Sequence, residues 1–333
     1  MYQFDGVDID WEYPVGGGMS TNITRPEDKQ NFTLLLKCLR EKLDAAGAED
    51  GKKYLLTIAA PAGSYTINNA EPELYHKYLD FINLMTYDYS GSWDTFVNHM
   101  SPLYMNPDDP SYPQRKETFN ADWTIHEYLR LGVPAEKLNL GVPYYAAGWK
   151  NITGGTKGLF GTGGQALDNV MHHFIRGLLD SPESGFTRYW DDNSKAPYVW
   201  NPLSCTMYTY EDEVSLENKC NYILNKGLGG IMIWELSGDY PANGGSTLTS
   251  TIYNTFFTDS SKDDKYGDVD ADGDVNSTDI TILKRYLLRK MDRLPYPERE
   301  YLVDLNKDGA VDSTDLSILK RYILRKLEVI PIN

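Results

Sequence analysis

The sequence predicts an α/β unit built on a parallel sheet, followed by a small all-α module that is internally duplicated. Three observations carry this expectation. Short apolar runs at residues 4–9, 54–60, 81–85, 138–142 and 230–234 are interspersed with helical stretches at 25–46, 120–131 and 216–226. Strands separated by helices of this length read as βα units around a parallel sheet. A polar, charged stretch at 259–265 (DSSKDDK) reads as a linker. Beyond it, DVDADGDVNSTDITILKRYLLR from Asp268 returns as DLNKDGAVDSTDLSILKRYILR from Asp304, offset by 36 residues with the register kept. Two copies this alike are one structural unit used twice. The expected division is therefore 1–256, a linker at 257–265, and 266–333.

Length and composition bound the rest. A chain of 333 residues is long enough for one large core and a small extra domain. Hydrophobic residues at 41% and charged residues at 24% are ordinary for folded domains and argue against disorder. No run reaches the roughly 18 apolar residues that a membrane span needs. A formal charge of −16 argues against nucleic acid as a partner, because a phosphate backbone demands a basic surface. Such a charge suits a calcium protein or an enzyme acting on neutral sugar polymers. The 25 Tyr and 7 Trp serve core packing or stacking on sugar faces, and composition leaves both open. Three cysteines, Cys38, Cys205 and Cys220, make at most one pair and fix no compartment. No secretory leader is legible in the first residues.

The repeat has the chemistry of a calcium loop. Asp268, Asp270, Asp272 and Asp279 fall at loop positions 1, 3, 5 and 12, with Gly273 at the sharp turn. The second copy offers Asp304, Asn306, Asp308 and Asp315, with Gly309 at the turn. Calcium takes six to eight hard oxygens, and the carbonyls of Asp274 and Ala310 would add one to each loop. Without an ion these carboxylates repel one another. The alternative is a pair of acidic surface turns. Each loop leads into a helix with an apolar stripe, Ile280, Leu283 and Leu287, then Leu316, Leu319 and Ile323. Ser277, Thr278, Lys284, Arg285 and Arg289 remain on other faces, matched by Ser313, Thr314, Lys320, Arg321 and Arg325. The recurrence points to two equivalent binding faces.

Residues 266–333 resemble a type I dockerin, a family that likewise places Asp at loop position 12. The resemblance implies two structural calcium ions and a cohesin module of a scaffold protein as partner. It implies contact through Ser277, Thr278, Lys284 and Arg285, with Ser313, Thr314, Lys320 and Arg321 as the alternative face.

Near the N-terminus the chain reads FDGVDIDWEYP. Side chains alternate along a strand, so Asp8, Asp10 and Glu12 line one side while Val7, Ile9 and Trp11 line the other. Acids crowded into a poorly solvated space cannot all ionise, so proton affinities rise and a proton is kept near neutral pH. That suits a general acid. An acidic strand end on the surface, or a metal site, explains the residues as well.

The segment resembles the signature of glycoside hydrolase family 18, D-x-x-D-x-D-x-E, at the end of the fourth strand of a (β/α)8 barrel. AAPAG (59–63) resembles the end of strand five, NLMTYDYSGSWD (83–94) strand six, and LNLGVPYYAAGW (138–149) strand seven. GFTRYWDDNSKAPYVW (185–200) is similar to the small α+β insertion of the chitinase branch, expected here over about 150–215. GGIMIWELSGD (229–239) resembles strand eight. The resemblance implies a partial TIM barrel from strand four onward, without the first three strands, roughly a hundred residues. This chain then begins inside a domain, and is expected to be weakly active or poorly folded until upstream sequence is restored.

By the same resemblance Glu12 is the general acid, Asp10 turns toward it, and Asp8 holds Asp10. Tyr87 would bond the substrate acetamido group, with Met85, Asp88 and Tyr145 in that pocket. Trp234 would floor the cleavage point, and Trp93 would also contact substrate. The chain has Ala146 and Ala147 where the family often has Gly-Arg, so an arginine contact is expected to be missing. The implied activity is endo-acting chitin hydrolysis outside the cell, with no cofactor for catalysis, on an enzyme tethered through its dockerin. A sugar-binding relative without catalysis and an endo-β-N-acetylglucosaminidase are the alternatives.

Overall fold

The structure is a computed structural model, and it describes residues 4–240, 247–257, 265–270, 272–291 and 293–331. Most of the expected linker, 258–264, lies outside the described residues. The chain forms two compact units, Met1–Ile252 and Tyr253–Asn333.

The first unit opens with β1 (Gly6–Asp10), α1 (Asp28–Asp50), β2 (Leu55–Ala60), α2 (Ser64–Asn68), α3 (Pro72–Tyr75) and β3 (Phe81–Leu84). It continues through α4 (Pro113–Thr118), α5 (Ala121–Arg130), β4 (Leu138–Pro143), β5 (Tyr145–Lys150) and β6 (Gln165–Met171). Then come α6 (His172–Asp180), β7 (Thr187–Asp191), β8 (Ala196–Asn201), β9 (Thr206–Thr209), α7 (Glu213–Lys226), β10 (Gly230–Trp234) and α8 (Thr247–Phe257).

Five strands form a parallel sheet in the order β1-β2-β3-β4-β10. The three inner strands are rich in Leu, Ile, Val and Ala, and Leu56, Ile58, Ile82, Leu84, Leu140 and Val142 are fully buried. A sheet covered on both faces needs such continuous apolar runs. β1 and β10 each have one strand partner among the described residues, and their side chains are correspondingly half-exposed or exposed. Trp11, just past β1, meets Phe32 of α1 edge-on at 5.7 Å, on the side away from the acids. The alternation expected for the strand is therefore realised on its α1 side.

The second sheet is antiparallel, in the order β6-β5-β9-β8-β7. The apolar run expected at 138–142 is β4, and the rest of the stretch that resembles strand seven, 138–149, passes into this second sheet after Tyr144. Pro143 pairs with Trp234 at the end of β10, and proline has no N–H with which to extend a ladder. Tyr144 makes one last bond, its N–H donating to Trp234 O at 2.8 Å, and the chain then turns into β5. The insertion accordingly starts at Tyr145, earlier than about 150. Its core packs Trp149, Tyr198 and Met207 against Val97 and Met100.

In the second unit, α9 (Ser277–Leu287) and α10 (Ser313–Ile323) repeat one design. Asn276 and Asp312 cap their N-termini, each in a reciprocal capping box with Asp279 or Asp315. Leu283 and Leu319 are fully buried at equivalent positions, as are Val269 and Leu305 within a few per cent. Ile280, Leu287, Leu316 and Ile323 pack against that core, so the predicted stripes face inward.

Candidate active site

A cavity of about 430 Å³ opens at the C-terminal ends of the parallel strands. This is where a β/α sheet leaves its strand ends and following loops free to carry chemistry. β1 supplies Asp8 and Asp10, with Glu12 and Tyr13 just beyond. The end of β3 supplies Met85, Tyr87 and Asp88. β5 supplies Tyr145, and β10 supplies Met232 and Trp234. Of the nine expected catalytic and substrate-binding residues, eight line this one cavity. Trp93 does not; it borders an adjacent groove of about 160 Å³ whose lining shares Asp88 with the cavity.

Asp8 accepts a hydrogen bond from the Thr57 hydroxyl of β2, its partner in strand register. Asp10, one step along the same face, has its carboxyl pushed above the usual range. Loss of water is the main cause, followed by repulsion from Glu12 and then from Asp8. Asp8, Asp10 and Glu12 are exposed by surface area, and β1 pairs with β2 alone among the described residues.

The opposite wall is built of phenols around a second acid. Tyr145 Oη donates to Asp88 Oδ1 at 2.9 Å, and the Tyr87 and Tyr145 rings meet edge-on at 6.2 Å. Asp88 keeps some exposed surface, yet loss of solvent around its carboxyl pushes it up despite the opposing bond from Tyr145. Burial is also the main reason that the Tyr13 and Tyr87 phenols are held well above their usual range, so both stay protonated donors. Trp234 is 55% exposed and lies along the cavity edge, in register with Pro143. The Glu12–Tyr13 and Trp234–Glu235 peptide bonds are cis.

Sequence reasoning missed Tyr13, Asn83, Phe119 and Met232, which also line the cavity. Met232 was findable, because it sits two residues before Trp234 and so shares its strand face. Tyr13 was inside the quoted motif but had no assigned role. Ala146 and Ala147 are buried, and Ala147 borders the groove near Trp93 where a longer side chain would project.

In the second unit, ligand oxygens of Asp268, Asp270 and Asp279 lie within 4.8 Å of one another. Asp268 Oδ1 is buried without a hydrogen-bond partner, an arrangement that a hard cation would satisfy. Burial is the first cause of raised carboxyls at Asp270 and Asp279; Asp279, Asp272 and Asp268 raise Asp270 further, and Asp268 raises Asp279. Gly273 and Gly309 turn at φ 89° and 87°, a backbone setting that other residues seldom adopt. The second loop keeps the geometry. Asp304 accepts from Gly309 N at 2.8 Å, Asp315 is fully buried, and Asn306 Nδ2 donates to Asp308 at 2.8 Å. The donor set fits calcium in both loops. Asp272 and Asp274 flank the first turn, where the Asp272 carboxylate accepts from Asp274 N at 2.8 Å. Ser277, Thr278, Lys284, Arg285, Ser313, Thr314, Lys320 and Arg321 are all exposed.

An aspartate ladder on the first of five parallel strands, facing buried phenols, with an antiparallel insertion after the fourth, defines a class. Residues 1–239 match the model of glycosyl hydrolases family 18, and the chain belongs to that family. Residues 259–325 match the dockerin type I domain. The chain is 45% identical over 252 residues to Chitinase A1 of Niallia circulans, covering 72% of this chain and 35% of that relative. To Chitinase 1 of Aphanocladium album it is 35% identical, covering 75% of this chain and 55% of the relative. It thus spans about a third to about half of these curated relatives. Among solved structures, a chitinase from Bacillus thuringiensis matches with a TM-score of 0.70 at 39% identity, over 76% of this chain and 43% of that one. A family 18 N-acetylglucosaminidase from Paenibacillus barengoltzii matches with a TM-score of 0.67 at 35% identity, over 76% and 70%. The fold expected from the sequence, consecutive strands of a (β/α)8 type with a small insertion, agrees with these neighbours.

Proposed function

We propose that the N-terminal unit hydrolyses β-1,4-linked N-acetylglucosamine polymers within the chain, as a retaining chitinase. The observation that carries this reading is the facing of two groups across one cavity. Asp8, Asp10 and Glu12 line one wall, while Tyr87, Asp88 and Tyr145 line the other. Family 18 enzymes depart from the usual pair of enzyme carboxylates by using the substrate itself as nucleophile.

In this mechanism Glu12 gives its proton to the glycosidic oxygen as the bond to the anomeric carbon breaks. The 2-acetamido oxygen closes on that carbon and forms an oxazolinium ion. Asp10, carrying a proton, accompanies the acetamido N–H, and Asp8 braces Asp10 from behind. Tyr87 donates to the acetamido oxygen and so holds it near the reacting carbon; orientation of this kind removes much of the entropic barrier. Water then attacks the anomeric carbon and passes its proton to Glu12, with net retention. Trp234 supplies an apolar surface for the sugar ring, while Met85, Asp88 and Tyr145 shape the acetamido pocket. No cofactor takes part. Trp93 lies farther out and meets a longer chain.

The C-terminal unit binds two calcium ions through Asp268, Asp270, Asp272, the Asp274 carbonyl and Asp279, and through Asp304, Asn306, Asp308, the Ala310 carbonyl and Asp315. It docks a cohesin module of an extracellular scaffold through the Ser-Thr and Lys-Arg pairs on either helix. Two equivalent, exposed helix faces support this. No described helix is long and apolar enough to cross a membrane.

The test is hydrolysis of a fluorogenic chitotrioside by this chain and by Glu12→Gln, with calcium present. Loss of a general acid costs on the order of 10²–10⁴ in rate. Turnover that survives in Glu12→Gln would remove the mechanism, and product lengths from a long oligomer distinguish internal from terminal cleavage.

A further inference from the structure

We infer that Arg115 is the positioning residue for loop 89–94, and that this loop sets how long a sugar chain the site grips. The inference rests on reading the cavity as a carbohydrate site.

The cavity and the neighbouring groove both include Asp88 in their lining, so a ligand longer than the cavity has the groove available. The groove is walled on one side by Ser90, Gly91, Ser92 and Trp93, and on the other by β5 at Ala147 and Trp149. Trp93 is 66% exposed, the arrangement of a ring kept for a ligand rather than for the core. Its indole lies flat over Gly91: a Cβ on that residue would fall 2.5 to 2.7 Å from three ring atoms. Gly91 itself is buried.

Loop 89–94 lies outside the named strands and helices. Tyr89 N donates to Met100 O at 3.0 Å at its start, and one guanidinium spans its two ends. Arg115 Nη2 donates to Tyr89 O at 2.9 Å, where the loop begins, and to Asp94 Oδ2 at 2.7 Å, where it ends. The same Asp94 oxygen accepts from Gly91 N at 3.0 Å, the residue beneath the indole. The two ionic side chains are only 12% and 11% exposed, so salt screens the pair little. Arg115 also lies 4.7 Å over the ring of Phe119, which lines the cavity. A single side chain thus ties the groove wall to the cavity wall.

A loop staple with no part in binding would affect stability alone. A positioning residue would instead affect long ligands and spare short ones. The experiment titrates the calcium-loaded 333-residue chain with chitobiose and with chitohexaose by calorimetry. It compares Arg115→Met, Arg115→Lys and Gly91→Ala, each in a Glu12→Gln background that stops turnover. Aromatic contacts are worth enough to predict roughly three- to tenfold weaker hexaose binding in Arg115→Met and Gly91→Ala, with chitobiose unchanged. Arg115→Lys, which keeps the charge toward Asp94, recovers part of the loss. Gly91→Ala decides the matter if the Arg115 variants fold poorly. A parent that prefers hexaose, with variants that keep the same hexaose-to-biose ratio, overturns this inference alone. A parent that binds neither sugar overturns the site reading and takes this inference with it.

Discussion

The phenol of Tyr145 donates a 2.9 Å hydrogen bond to Asp88, and so joins two sheets that share no ladder among the described residues. Asp88 follows β3 in the parallel sheet and sits at φ 56°, a conformation that Asp tolerates better than most residues. Tyr145 is the first residue of the antiparallel insertion. The bond therefore sets where the insertion stands over the acids.

Tyr145→Phe keeps the ring and removes only the hydroxyl. That bond holds the Asp88 carboxyl down against burial, so its proton affinity rises further in the variant. A hydrogen bond to a charged group is worth about 1.5–3 kcal/mol. We expect kcat/KM on chitotrioside to fall roughly ten- to a hundredfold on that basis. The melting temperature should fall by a few degrees, because the bond is already present without ligand. Unchanged kinetics would show that the bond is incidental.

Asp10 provides a pH test. The folded state holds its proton more tightly than the unfolded chain does, so the penalty on folding is absent below the ordinary carboxyl pKa, builds as pH rises from there, and is complete above the raised one. Asp10→Asn should therefore raise the urea midpoint at pH 7 relative to the parent, with the difference vanishing in acid. Activity should fall by on the order of a hundredfold, because the site loses a proton-carrying group. Asp8→Asn should move the limb of the pH profile that belongs to Asp10 toward lower pH, since it removes one of the repelling charges.

Lys219 and Glu211 form an ion pair with side chains 0% and 2% exposed. Lys219 Nζ also donates to Ser101 O at 2.8 Å and Ser101 Oγ at 2.7 Å, and Glu211 accepts from Ser215 at 2.7 Å. Lys219→Met strands a buried carboxylate, and we expect a loss of about 3–5 kcal/mol in urea unfolding. Lys219→Met with Glu211→Gln should recover much of that loss. If the single variant is as stable as the parent, the pair contributes nothing.

Chelation addresses the second unit. Removing calcium leaves Asp268, Asp270 and Asp279 facing one another with no countercharge. A ligand present at a hundred times its dissociation constant stabilises by about 2.7 kcal/mol, so its removal should lower the transition of this unit by several degrees. Cohesin binding should be lost and chitotrioside turnover retained. Asp279→Ala and Asp315→Ala should each reproduce part of the loss.

Much of this was legible because it is local. Asp8, Asp10 and Glu12 share a face by strand alternation alone, and the 36-residue repeat announces paired loops without any tertiary information. What escaped depends on partners far away in the chain. The break at Tyr144 is decided by where β10 stops, some 90 residues later. The placement of Trp93 beside an adjacent groove depends on how loop 89–94 lies against β5. The Lys219–Glu211 pair looks like any two surface charges until the fold packs them beneath Ser101.

Asp279 accepts from Asn276 N and from Val269 N, both at 2.7 Å. Asp315 does the same with Asp312 N at 2.8 Å and Leu305 N at 2.7 Å. One carboxylate thus fastens the start of each loop to the start of the helix that follows it. Loosening a loop frays its helix, so the two halves of the repeat behave as latches rather than as hinges.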